Sequence, residues 1–492
     1  MRRAKRVLAL LLALLFLSMT ACNDKPPEPP APTGDSSVGT PTNGETPTPP
    51  DSTTPVDRSQ MGNIHPIKDF GGRTLRIGAW WDTPISALAW GDEPDRATSN
   101  NYALARLMWD NARRVEEQFN VKFEAVAVPY GNLMDTLNAS VLERNPFADV
   151  VILDGDWIMD AIGTVIQPWD NANLPNSDLF GDRVYISPCT SMDGGTWTIN
   201  QNGADAEAFG LGVNLNIINM EGLPNPIELY ENGEWTWEAM LDIMRRATRD
   251  TTGGGGVFNQ FGIAGQPGEI VQHLIGTNDG MLVDADMNYG YAHPNTIRAL
   301  EFAKLIFEER LWHAEAGGHM DTGNYDRNFY SGLREGVAAL FPTITWAIQN
   351  VPPAFELGFV PFPIGPDNTT GSTWLAGFKQ GMGVTVGTSW DVGDILILIE
   401  ELHSWPGDDT DILYESGQIE WMREQFPTEG DVQRAIISGL TRRTDVGRAI
   451  EGYYWVLGDF ASHFWLHEMD VLQAVEHHRN ERQEMLDIRF KR

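Results

Sequence analysis

The chain has 492 residues, with 42% hydrophobic and 21% charged side chains, enough apolar content for two or three ordinary folded domains. It carries 68 acidic against 35 basic residues, a net charge of −33, so a partner rich in phosphate backbone or anionic lipid is repelled and nucleic-acid binding is not expected. Two cysteines, Cys22 and Cys189, cannot build a disulfide framework or a cysteine zinc cluster.

The basic start Met1–Arg6 precedes an 11-residue apolar run, Val7–Leu17, too short to span a bilayer but suited to a secretion signal. Ser18-Met-Thr-Ala-Cys22 follows and resembles a bacterial lipoprotein signal, which implies that Cys22 becomes the lipid-bearing N-terminus. No other stretch nears 20 apolar residues. Residues 23–60 are rich in Pro, Thr, Ser, Gly and Asp and read as a solvated tether. The expected order is thus signal 1–21, anchored tether 22–66, then a folded body.

Along the body, Thr74–Ala79 reads as a short strand ending in Trp80-Trp81. Ala103–Phe119 has helical spacing, Val121–Val128 alternates as a strand, Leu133–Leu142 is helical, and Ala148–Leu153 is a continuous apolar run of the kind buried in a parallel sheet. Trp235–Arg249 is a helix with Thr236 as N-cap. The quartet Gly253–Gly256 lacks the Gly-Lys-Ser/Thr ending of a phosphate loop and reads as a turn into a strand near Phe261–Ala264. Thr296–Leu311 is helical, Val337–Phe341 and Met382–Val386 are strands, and the chain from about Asp391 is mostly helical. Alternating strands and helices predict an α/β layer.

Catalytic signatures are missing: there is no Gly-x-Ser-x-Gly elbow, no His-Glu-x-x-His and no dinucleotide fingerprint. A carboxylate pair for glycoside hydrolysis is neither excluded nor indicated among 68 acids. Asp284-Ala-Asp-Met-Asn288 starts like a calcium loop but has Tyr289 where Gly is required, so an exposed turn is expected. His463 and His467 would share a helix face without a further zinc ligand in evidence, and read as helix surface. Cys189 reads as a small buried hydrophobe. The 17 tryptophans stand out, because Trp80, Trp81, Trp157, Trp346 and Trp374 fall at strand ends or beside loops and carboxylates. Indole faces pair with the C–H faces of sugars while acids bond hydroxyls, so these residues are candidate ligand contacts.

Several segments together resemble the sugar-binding, maltose-binding-protein-like group of extracellular solute-binding proteins of bacterial ABC importers. They are the first strand with Trp80-Trp81, Ala148–Trp157, Gly210–Asn216, the Trp235-Thr-Trp-Glu helix start, Gly280–Asp286 and Tyr330–Trp346. The resemblance implies an α/β two-lobe clamshell of the periplasmic-binding-protein type, each lobe a mainly parallel sheet flanked by helices. Lobe 1 would comprise 67–205 and 376–410, and lobe 2 would comprise 206–375 and 411–492. It further implies a non-enzymatic, monomeric receptor on the outer face of the cell membrane. That receptor would bind a sugar or oligosaccharide without cofactor or metal and hand it to a permease. Asp156 falls where the family carries a sugar-binding carboxylate, Trp346 where it stacks an indole on the ligand, and Tyr454 or Trp465 where a late aromatic contact lies. A secreted hydrolase and a structural lipoprotein are the rival readings.

Overall fold

The computed structural model describes residues 63, 65–80, 93, 102–169, 195–199, 208–254, 257–313, 325–377, 380–403, 419, 421–450 and 452–490. Trp81, Cys189 and the whole signal, Cys22 and most of the tether lie outside them. Among the described residues no helix is long and apolar enough to cross a membrane.

Eleven strands are described: β1 Arg73–Ala79, β2 Val121–Ala127, β3 Val150–Leu153, β4 Ile166–Gln167, β5 Phe209–Asn214, β6 Phe261–Ile263, β7 Ala338–Ile344, β8 Leu357–Val360, β9 Trp374–Ala376, β10 Gly381–Thr385 and β11 Arg442–Thr444. They form a five-stranded sheet of order β2-β1-β3-β10-β4, a four-stranded sheet of order β6-β7-β5-β8, and the short pair β11-β9. In the first sheet β1, β2 and β3 are parallel and β10 is antiparallel to both its neighbours. In the second, β6 and β7 are parallel and β5 is antiparallel to both β7 and β8. Each sheet therefore runs mainly one way with a single reversed strand. In both cases the reversed strand is the one reached after the chain leaves the other sheet. Helices flank both sheets, as the alternating pattern predicts.

The local reasons are readable. The run Val150–Leu153 is wholly buried because β3 lies between β1 and β10. Asp149, just before it, accepts from the Arg76 amide at 2.9 Å and from the Thr388 hydroxyl at 2.8 Å, so this acid holds the sheet in register. In β5, Gly210 and Gly212 leave room for Phe359 and Phe341 to lie across the strand; an added Cβ would meet those rings at 2.5 and 2.2 Å. Thr236 caps the helix Trp237–Ala247, its side chain accepting from the Ala239 amide at 3.2 Å.

Two ties bring the later chain back to the two sheets. Asn111 donates to the Glu401 and Leu402 carbonyls at 2.9 and 2.8 Å, and the Arg114 guanidinium reaches the Glu401 carboxylate at 2.9 Å, both side chains fully buried. These donors satisfy the last carbonyls of the helix Val392–His403 and place positive charge at its negative end. In the second sheet, Asp431 accepts from the Phe359 amide at 2.9 Å and Arg434 donates to the Phe359 carbonyl at 2.7 Å. The helix Glu429–Leu440 thereby covers the exposed edge of β8. The mostly helical reading beyond Asp391 misses β11, three residues long and without a period of its own.

Candidate functional site

Because β1, β2 and β3 are parallel neighbours, their C-terminal ends open on one edge of the sheet, where open α/β sheets place their ligands. Trp80 follows β1. Tyr130 opens a 3-10 turn, Tyr130–Asn132, three residues after β2. Asp154 caps a second 3-10 turn, Gly155–Trp157, directly after β3, and its carboxylate accepts from the Asp156 amide at 3.1 Å. The three aromatics meet there: Trp80 to Trp157 at 5.4 Å and 83°, Trp80 to Tyr130 at 6.0 Å and 80°, and Tyr130 to Trp157 at 4.5 Å and 40°. Trp157 is buried while Tyr130 remains half exposed at the rim.

The Asp156 carboxylate faces residues from beyond the second sheet. Tyr454 donates to its Oδ2 at 2.8 Å, and the Arg448 guanidinium lies 3.7 Å from the same oxygen. Arg448 also stacks on the Tyr454 ring at 3.8 Å, a cation–π contact that orients both. Gly377, following β9 on the return to the first sheet, sits against this group. A Cβ there would come 3.1 Å from Asp156 Oδ1 and 3.4 Å from Arg448 Cβ. Farther out, Arg489 at the end of the helix Val471–Phe490 pairs with Asp160 beyond the Gly155–Trp157 turn.

Burial sets the electrostatics. Asp154 is pushed up to about 6, first by loss of solvent and then by the neighbouring Asp156 charge, with the Asp156 amide and Arg448 opposing. The Tyr454 phenol is pushed up to about 12 by burial, partly offset by Arg448. Burial alone would lower Arg448, but the charges of Asp156, Tyr454 and Glu269 raise it, so it is a permanent cation. The result is a fixed arrangement of hydroxyl, guanidinium and carboxylates beside an aromatic wall. It can hydrogen-bond a polyhydroxylated solute and cover its apolar face.

The other sequence candidates lie elsewhere. Trp374 is not in a loop but in β9, buried, its indole N–H donating to the Ser438 carbonyl at 2.9 Å and its ring stacked with Phe209 at 5.7 Å. Its face is thus already occupied. A three-residue strand gives no alternation to read, which is why the sequence suggested a loop. Trp465 is buried at the end of the helix Val456–Trp465, edge-on to Trp312 at 5.5 Å and covered by the Arg310 guanidinium at 3.8 Å. Trp346 is half-buried in the helix Thr345–Asn350 at the exit of β7, against Tyr330 at 6.3 Å. Tyr453, next to Tyr454 in the chain, is fully buried and donates to the Leu282 carbonyl. An open hollow of about 400 Å³ bounded by Asn214, Gln260, Arg334 and Phe355 lies at the opposite end of β5 from Phe209.

Sequence reasoning missed Tyr130, Asp154 and Arg448. Tyr130 was open to discovery, since an aromatic shortly after a strand parallel to β1 falls on the same edge as Trp80. Arg448 had no signal, being brought to Asp156 only by the tertiary fold.

The family model for bacterial extracellular solute-binding proteins matches residues 111–381, more than half of the chain. The chain belongs to that family. As a solute-binding protein it is a binder and not a catalyst, which sets aside the hydrolase reading. Solved structures agree on the fold. The cyclic alpha-maltosyl-1,6-maltose binding protein of Arthrobacter globiformis is 15% identical, with a TM-score of 0.58 over 84% of this chain and 99% of that one. The GacH receptor of Streptomyces glaucescens, solved unliganded and with acarbose, is 15% identical, with a TM-score of 0.55 over 85% and 99%. UgpB from Mycobacterium tuberculosis, in complex with glycerophosphocholine, is 14% identical, with a TM-score of 0.54 over 84% and 98%. These likenesses place the solute-binding protein in the periplasmic-binding-protein-like clamshell architecture. No curated protein sequence matches the chain.

Proposed function

We propose that this solute-binding protein captures a sugar or oligosaccharide by closing its two lobes and presents the closed form to an ABC permease. The lobes would be 67–205 with 376–410 and 206–375 with 411–492. The proposed anchor is lipid on Cys22, which would hold the monomeric body by its tether at the outer face of the membrane. The observation that carries the reading is the meeting of Tyr454 and Arg448 with Asp156 beside the Trp80–Tyr130–Trp157 cluster. Groups from both sides of the molecule converge there on one carboxylate. A ligand that bridges them prefers the shut over the open form, and lobe closure can gain only that difference in affinity.

Trp81, next to Trp80, and Trp346, at the exit of β7, are proposed as further indole contacts. The carbohydrate ligands named for the Arthrobacter and Streptomyces proteins support this class, whereas the glycerophosphocholine of UgpB marks the nearest competing one. A thermal-shift screen decides between them. Mono- and oligosaccharides are expected to raise the melting temperature in proportion to occupancy. Stabilisation by glycerophosphodiesters alone, or by no solute, would overturn the sugar reading.

A further inference from the structure

Away from the solute site, three histidines gather between the last two helices. His463 lies on Val456–Trp465, and His477 and His478 on Val471–Phe490. One ring nitrogen of each lies within 4.8 Å of the other two. We propose that they bind a divalent transition-metal ion of the zinc class. The cluster is built by these two helices alone and is independent of the solute bound.

The spacing of the closest pair suits a metal. Two nitrogens at about 2.05 Å from a tetrahedral zinc stand about 3.3 Å apart. His463 Nε2 and His478 Nε2 are separated by 3.3 Å. The tautomer suits it as well. His463 Nδ1 lies 3.0 Å from Glu468 Oε2, and a carboxylate can accept only from an N–H, so the proton sits on Nδ1 and the Nε2 lone pair faces His478. A ligating imidazole whose other nitrogen is held by a carboxylate is the recurrent second-sphere arrangement of zinc histidines.

Orientation completes the site. His478 is nearly buried and held edge-on to Phe460 at 5.6 Å and 88°. His477 is exposed, so its side chain can turn to complete a third ligand. Imidazole nitrogens select zinc, nickel or copper over magnesium and calcium, which need oxygen. His467, the partner suggested by i, i+4 spacing, is not part of the group. It has left the helix with φ of 55° and lies 3.3 Å from Glu308.

The bound ion would pin the helix that follows Tyr454 to the helix that ends at Arg489. Chelator-stripped full-length protein titrated with zinc chloride tests this by calorimetry and thermal melting. One saturable equivalent and a melting temperature raised by several degrees are expected, with magnesium chloride giving neither. His463→Ala and His477→Ala should each weaken zinc by about tenfold or more, while His467→Ala should bind like the parent. His477 is exposed, so its variant keeps the test sound if substitution at buried His478 impairs folding. Zinc X-ray absorption should show nitrogen neighbours at about 2.0 Å. Absence of saturable binding at 100-fold molar excess, or undiminished binding in both the His463 and His477 variants, overturns the proposal. In that case the 3.3 Å contact is a plain imidazole–imidazole hydrogen bond.

Discussion

Tyr454 donates a 2.8 Å hydrogen bond to Asp156 across a sequence separation of 298 residues. The bond joins a turn at the end of β3 to the segment leading into the helix Val456–Trp465, so it spans the two sides of the proposed solute site. A hydrogen bond to a charged group contributes about 1.5–3 kcal/mol. On the sugar reading, Asp156→Ala is expected to weaken ligand binding by roughly 10- to 150-fold, with the far-ultraviolet circular dichroism unchanged. Tyr454→Phe should cost less, as it leaves the Arg448 contact in place. Calorimetry showing parental affinity for Asp156→Ala would remove this carboxylate from the site.

Gly377 offers a separate handle. Its backbone does not need left-handed geometry, but a methyl group would press on Asp156 Oδ1 and Arg448 Cβ. Gly377→Ala should therefore reduce ligand affinity while shifting the melting temperature little. A variant with lower stability and intact affinity would show that this crossing serves folding instead of closure.

The pH dependence of stability should carry the mark of Asp154. Its folded value, about 6, lies above the ordinary 3.8, so the folded state holds a proton that the unfolded state has released. The stability this group contributes is complete below about pH 4 and is lost as pH rises towards 6. Asp154→Asn keeps the turn-capping oxygen and has no proton to lose. Chemical denaturation of the variant from pH 4 to 7 should show a flatter profile than the parent and greater relative stability at pH 7. Parallel profiles would mean that Asp154 titrates normally.

Trp374 should behave as a core residue. Removing a buried indole of this kind costs about 3–5 kcal/mol, so Trp374→Ala should lower the melting temperature strongly. Trp80→Ala, at the half-buried rim, should act first on ligand binding. The reverse ranking would return Trp374 to the site.

Periodicity and apolar runs were enough to read β1 to β3, the helices around them and the Thr236 cap, because each is set by neighbours within a turn or two. Trp157 was marked by its place beyond a strand buried on both faces, whereas Asp156 was singled out by the resemblance, which puts a sugar-binding carboxylate there. Sequence pattern could not separate Trp374 from Trp80, since both are tryptophans near glycine or a strand end. Only the tertiary stack with Phe209 distinguishes a covered ring from an available one. Nor could it pair His463 with His478, because the spacing within one helix pointed to His467 while the real neighbour lies on the next helix. The short strands β9 and β11 are held by pairing with each other and left no readable pattern, unlike the equally short β6, which follows a glycine-rich turn.

The last helix, Val471–Phe490, is rooted against the second sheet's helices, where Tyr289 donates to the Val475 carbonyl, and its tip carries Arg489 to Asp160. Twenty residues of α-helix make a rod about 30 Å long. Such a rod acts as a lever arm: turning its root by about 10° swings the tip by about 5 Å, well beyond the reach of an ion pair. Small rotations too slight to notice at the pivot are thus magnified at Asp160, and probes attached on either side of that contact would serve as an angular gauge of the molecule.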